Sequence, residues 1–151
     1  MTQVGPGGTE PLTKHVDVPL AVSAAFERFT AGMADWWPLE THSVWERDAV
    51  RVGIDGRVGG HLAETHRDGR TAVWGTVLRW EPPRLVAFTW HPGRPEREAT
   101  QVTVRFTPHG TGTRVELTHG GWEARDDSAY AVIGYDRGWE RVLDRLAAGA
   151  P

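Results

Sequence analysis

The chain contains no cysteine. Disulfides, thiol nucleophiles and thiolate metal sites are therefore excluded, and a reducing compartment suits it. No apolar run approaches the roughly 18–20 residues that a membrane span needs. The opening "MTQVGPGGTEPL" carries neither a basic cluster nor an apolar stretch and does not read as a secretion signal, so the cytoplasm is the expected location. Charge of one sign is also missing: the net charge is −3, with both signs scattered, which gives no nucleic-acid face and no polybasic membrane anchor. The three serines, Ser23, Ser43 and Ser128, include none in a G-x-S-x-G elbow. The seven histidines form no H-E-x-x-H or comparable close spacing. Gly59-Gly60 is followed by neither Lys-Ser/Thr nor a helix, so it is no phosphate loop. No cofactor or metal is expected, and no internal repeat is present.

What the chain does have is tryptophan, eight in 151 residues. That many indoles must fill a core, line a cavity or form an interface. The length suits one domain, and at this size folding buries roughly 68–70% of the unfolded surface, enough for a core without staples. Residues 1–11, rich in Gly, Pro and polar side chains, read as a flexible tail, with one domain over 12–149.

"TKHVDVP" alternates Val16 and Val18 with polar neighbours, a strand ended by Pro19. "LAVSAAFERFTAGM" spaces Val22, Ala25, Phe26 and Phe29 on one helical face. Gly32 and "DWWP" end or kink that helix, since Pro38 disfavours helix at Trp37. From about Ala49 to Thr118 the chain reads as strands and turns. "AVRVG" and "GRVGGHLAETHR" lead to Asp68-Gly69, a two-residue hairpin signal. "TAVWGTVLRW" breaks at Pro82-Pro83, and "RLVAFTWH" stops at Pro92-Gly93. In "TQVTVRFTP" Val102, Val104 and Phe106 share a face; in "TRVELTH" Val115, Leu117 and His119 do. The last stretch is helical from Asp126 or Asp127, with Asp127 or Ser128 as cap. There Val132, Tyr135, Trp139, Val142, Leu143 and Leu146 recur at three- and four-residue steps. The predicted plan is α+β: a seven-stranded antiparallel sheet with helices on one side, its apolar face covered by the only remaining long element, the final helix.

Four features resemble one known family. They are the strand–Pro–helix "VDVPLAVSAAFERFT" with Trp36-Trp37-Pro38; "VGG" at 58–60 opening a strand; "WGTVLRWEPPRLVAFTWH" (74–91); and "THGGW" (118–122) ahead of "GWERVLDRL" (138–146). Their order and spacing resemble the SRPBCC (START/Bet v-like) superfamily, and within it the bacterial branch named after the activator homologues of the heat-shock-protein-90 ATPase. The resemblance implies a helix-grip fold: a curved antiparallel sheet wrapped around a long C-terminal helix, with a cavity between. It implies no single function, because the superfamily includes lipid and hormone binders, polyketide cyclases and hydroxylase domains.

Within that plan, Gly138 would let the helix approach a strand backbone closely, so that Trp139 reaches under the sheet. Glycine costs roughly 1 kcal/mol mid-helix. Burying an indole returns more, at roughly 25 cal/mol per Å² over some 150–250 Å². Trp139 then either plugs the core or floors a ligand pocket. Trp36, Trp37 and Trp45 surround a loop near the cavity mouth, as a core lid or as a ligand clamp. If Leu62 points inward, so does Glu64, which is either a rim carboxylate in water or paired with an Arg, or an inward group needing a partner. Trp74, Thr76, Leu78 and Trp80 share one strand face, and Val86, Phe88 and Trp90 share one of the next. Trp74 and Trp90 are thus cavity walls or ordinary core. His119 faces inward as a hydrogen-bonded core residue, a ligand contact or a base. Tyr135 needs a partner for its hydroxyl if buried.

The expected function is a cavity protein binding a small apolar or aromatic molecule, as a monomer or homodimer. A polyketide cyclase/aromatase-like enzyme in the same cavity and a co-chaperone-like protein-interaction module are the alternatives. With no catalytic motif assigned, the sequence weighs against an enzyme; Glu64, His119 or Tyr135 would be the acid/base if one were needed.

Overall fold

A computed structural model describes residues 10–148. The residues expected to form the N-terminal tail fall almost wholly outside that range. Seven strands, β1 (Leu12–Val18), β2 (Ala49–Ile54), β3 (His61–His66), β4 (Thr71–Glu81), β5 (Leu85–Trp90), β6 (Thr100–His109) and β7 (Gly112–Gly120), make one antiparallel sheet in the order β1-β7-β6-β5-β4-β3-β2. Helix α1 (Val22–Phe29) follows β1, and helix α2 (Ser128–Ala148) closes the chain. Short turns of tight helix lie at Met33–Asp35, Glu46–Asp48, Glu96–Glu98 and Trp122–Ala124. The sheet curves around α2, the helix-grip arrangement. No helix among the described residues is long and apolar enough to cross a membrane.

The period-two pattern sets the sheet's inner face. Val102, Val104 and Phe106 of β6 and Val115, Leu117 and His119 of β7 are all buried, as their alternation requires. Phe26 and Phe29 of α1 pack edge-on against Phe106, and Phe26 also meets Trp80 at 5.2 Å. On α2 the buried positions are Ala131, Trp139, Val142, Leu143 and Leu146. Lys14 on edge strand β1 pins the helix by pairing with Asp136 at 2.7 Å and Glu140 at 2.8 Å.

Three local expectations are corrected. Val58-Gly59-Gly60 lies in the turn before β3, not in the strand, where Gly59 N–H donates to the Val77 carbonyl and Val77 N–H to that of Gly60. The Asp68-Gly69 reversal takes three residues rather than two: His66 N–H donates to the Arg70 carbonyl, and Gly69 holds φ at +96°. Leu78 does not share the inward face of Trp74, because the β4–β5 register slips between Val77 and Arg79 and leaves Leu78 42% exposed. A further bulge, between Leu62 and Ala63, lies opposite Trp74 and Gly75. Gly75 has to be glycine, since a Cβ there would collide with the Thr89 carbonyl oxygen.

Candidate functional site

A cleft of about 570 Å³ opens beside the N-terminal half of α2. That is the size of pocket in which proteins hold small organic ligands. One wall is the helix face of Ala131, Gly134, Tyr135, Gly138 and Trp139; the facing walls are the loop Thr41–Val44 and the β5–β6 turn at Pro92–Arg94. Trp37, Trp74, Trp90 and Trp139 form the base of the cleft and are themselves almost fully buried. Their rings touch in a continuous cluster, with Trp90 5.1 Å from Trp139, 5.5 Å from Trp74 and 6.0 Å from Trp37. The indoles therefore serve as core and as floor at once.

Gly138 does not do what the sequence suggested. Apart from the helix's own adjacent backbone, no atom lies within 4 Å of where its Cβ would be, and the same holds for Gly134. Neither glycine brings the helix against a strand. Both are on the cleft face of α2, and their missing side chains widen the cleft. The spacing Ala131, Gly134, Gly138, Val142 coincides with the apolar stripe through Tyr135 and Trp139, and that coincidence was the available sequence signal.

A polar chain runs along one end. Trp90 donates its indole N–H to the Tyr135 hydroxyl at 3.1 Å. Arg125 stands beside Tyr135 and is held by Asp127 through two hydrogen bonds of 2.8 Å. Arg94 joins the same carboxylate at 2.9 Å and Glu98 at 2.6 Å. The hydrogen bonds from Arg125 hold the Asp127 pKa below the ordinary carboxylate range. Asp127, expected as a helix cap, gives its carbonyl to Ala131 N–H while its side chain orders the two guanidiniums.

Of the residues predicted for the site, Trp37, Trp74, Trp90, Tyr135 and Trp139 line the cleft. His119, Glu64 and Trp45 do not. His119 is buried beneath the floor, where Trp139 donates to its Nδ1 at 2.9 Å. An accepting Nδ1 in a neutral ring leaves the proton on Nε2, which reaches Thr100 Oγ1 at 2.6 Å, and that hydroxyl donates on to the Trp90 carbonyl at 3.1 Å. Burial, aided by the charge of Arg125, pushes the His119 pKa down to about 3.

Glu64 is neither a wet rim residue nor an arginine partner. It is fully buried and accepts N–H bonds from Val44 (2.7 Å), Trp45 (3.0 Å) and the Trp74 indole (2.6 Å). It thereby fastens the loop wall to the floor. Trp45 lies outside, edge-on to His66 at 5.0 Å with Arg70 over its ring.

His42, which sequence reasoning passed over among scattered histidines, is on the loop wall. Its backbone carbonyl accepts the Trp37 indole N–H at 2.7 Å, and its Nδ1 lies 2.7 Å from Thr41 Oγ1. Burial, then the charge of Arg141, lowers its pKa against the opposing pull of Glu40. Its position between Trp37 and Trp45 was the only sequence clue.

Residues 22–150 match the family described as activator of Hsp90 ATPase homolog 1-like protein. The chain belongs to that family. Its structural relatives share the helix-grip fold. Protein MLL2253 from Mesorhizobium loti superimposes with a TM-score of 0.65 at 18% identity, covering 91% of this chain and 94% of that one. CalU16 from Micromonospora echinospora gives 0.59 at 23% identity, with 90% and 73% covered. An anthrahydroquino-γ-pyrone synthase, Txn09, solved as a complex, gives 0.61 at 31% identity, with 94% of this chain and 97% of the synthase covered. No curated protein matches the chain. The synthase overturns the expectation that weighed against an enzyme. That structural relative, 31% identical and covered over 97% of its length, is a synthase.

Proposed function

We propose that this protein is a cyclase- or aromatase-like enzyme acting on a flat aromatic, polyketide-like molecule in the α2 cleft. The observation that carries the reading is the cleft itself, with four indoles for its base, two bare glycines in its helix wall and its polar groups gathered at one end and on the loop. Such a space takes a planar ring system and meets its oxygens at defined points. The 31% identity to the γ-pyrone synthase supports a ring-forming step as the reaction type. Ring closure of this kind needs a shaped site and proton transfer rather than a nucleophile. Among the cleft groups able to exchange protons with a ligand, Tyr135 lies at the end of the indole floor and His42 on the loop wall.

The test is incubation of purified protein with a hydroxyanthraquinone bearing a 1,3-diketone side chain ortho to the phenol, whose hydroxyl adds to the distal carbonyl so that a γ-pyrone ring closes by loss of water. Mass spectrometry is expected to show dehydrated, ring-closed product forming faster than in buffer, and no faster with a Gly134→Leu/Gly138→Leu variant. An unaccelerated reaction together with no binding of the anthraquinone overturns the reading.

A further inference from the structure

We propose that Tyr135 reads a carbonyl oxygen of the ligand, so that the cleft selects planar aromatic ketones and quinones. The inference rests on the cleft being the ligand site, as argued above. A phenol has one hydrogen to donate and two lone pairs to accept with. At Tyr135 one accepting lone pair is taken by the Trp90 N–H, which points at the oxygen from 3.1 Å, and the Arg125 guanidinium stands beside it. Both neighbours are donors. The O–H hydrogen is what remains, and among the described residues it enters no hydrogen bond. A ligand group that takes this free hydrogen must be an acceptor, and a ligand hydroxyl or amine offering only its own hydrogen meets an oxygen already flanked by two donors.

The surroundings fix where that acceptor sits. Trp90 belongs to the floor and Arg125 is anchored by two bonds to Asp127, so the tyrosine oxygen is held at the end of the indole base. Its ring stacks against Trp139 at 27° with centroids 6.3 Å apart. A flat ring system on the floor brings an in-plane oxygen to Tyr135, with its faces between the indoles and the bare helix at Gly134 and Gly138. The adjacent guanidinium also favours an oxygen on which negative charge grows, which polarises the carbonyl.

The experiment compares 9-fluorenone with fluorene, which has the same rings and no oxygen. Intrinsic tryptophan fluorescence reads binding, and infrared spectroscopy reads the carbonyl stretch. Wild-type protein is expected to prefer fluorenone about tenfold, and Tyr135→Phe to bind both probes with equal affinity. The carbonyl stretch of bound fluorenone is expected at lower wavenumber in wild type than in an apolar solvent, and the shift is expected to vanish in Tyr135→Phe. Equal binding of the two probes by wild type, an unshifted stretch, or a preference that survives in Tyr135→Phe overturns the role of Tyr135 and leaves the cleft reading standing. Wild-type protein that binds neither probe overturns both. The wild-type infrared measurement decides the matter even if the variant does not fold.

Discussion

Trp139 on α2 donates its indole N–H to Nδ1 of His119 on β7, 2.9 Å away. This one bond ties the helix to the sheet and fixes the imidazole tautomer. A proton added to His119 would face the indole N–H, donor against donor. The consequence is a stability profile with a definite sign.

The folded His119 pKa, about 3, lies below its ordinary value of 6.5, so the unfolded chain takes the extra proton first as pH falls. Its contribution to stability is complete above the ordinary value and is lost progressively toward the folded one, at about 1.4 kcal/mol per pH unit. Urea denaturation between about pH 6.5 and pH 4.5, above most carboxylate titrations, measures it. His42 adds a smaller effect of the same sign. His119→Gln keeps an acceptor for Trp139 and a donor for Thr100, and is expected to flatten most of the slope. An equally steep profile in that variant would refute the assignment.

Glu64 is expected to be structurally demanding despite sitting outside the cleft. Glu64→Gln turns an amide donor toward N–H groups that now have a carboxylate oxygen, leaving at least one unsatisfied at about 1–3 kcal/mol. Hydrogen exchange at the Val44 and Trp45 amides should accelerate with it. Unchanged protection at both would show that the loop is held by something else.

Gly138→Ala is expected to stabilise the fold by about 1 kcal/mol, because the new methyl meets open space and the helix gains propensity. Gly138→Leu should melt no lower than wild type yet lose affinity for 9-fluorenone at least tenfold as its side chain enters the cleft. A fall in melting temperature for Gly138→Ala would restore the close-approach explanation.

Gly75→Ala should behave in the opposite way. The added methyl runs into the Thr89 carbonyl, and the strand cannot yield without breaking the β4–β5 ladder. A loss above about 3 kcal/mol is expected, in the range of severe core defects. A soluble variant with wild-type melting would contradict the geometry.

The two periodicities carried most of the fold. Alternation in β6 and β7 placed their buried residues, and three- and four-residue spacing placed Trp139, Val142, Leu143 and Leu146. The sheet's irregularities were not legible, because a bulge such as that after Val77 changes which face a residue occupies without changing residue type. The indole floor was legible, since Trp74 and Trp90 sit at inward positions of their strands. The partners of Glu64 were not: two of its three donors are backbone N–H groups, which carry no sequence signature. Gly138 was noticed and misread, because sequence alone cannot tell a glycine that admits a neighbour from one that leaves room.

Strand β1 lies between no two strands: its sole ladder is with β7, pairing Leu12 with His119 and Val18 with Thr113. The first strand synthesised therefore waits for the last. Until residues 112–120 leave the ribosome, β1 and the α1 segment behind it have no ladder to join, and the sheet cannot be completed by local hairpins alone. Closing that roughly hundred-residue loop makes assembly slow by comparison with a helical bundle of equal length. It also makes the two ends of the domain mutually dependent, so that loss of either one exposes the other's edge to solvent and to neighbouring chains.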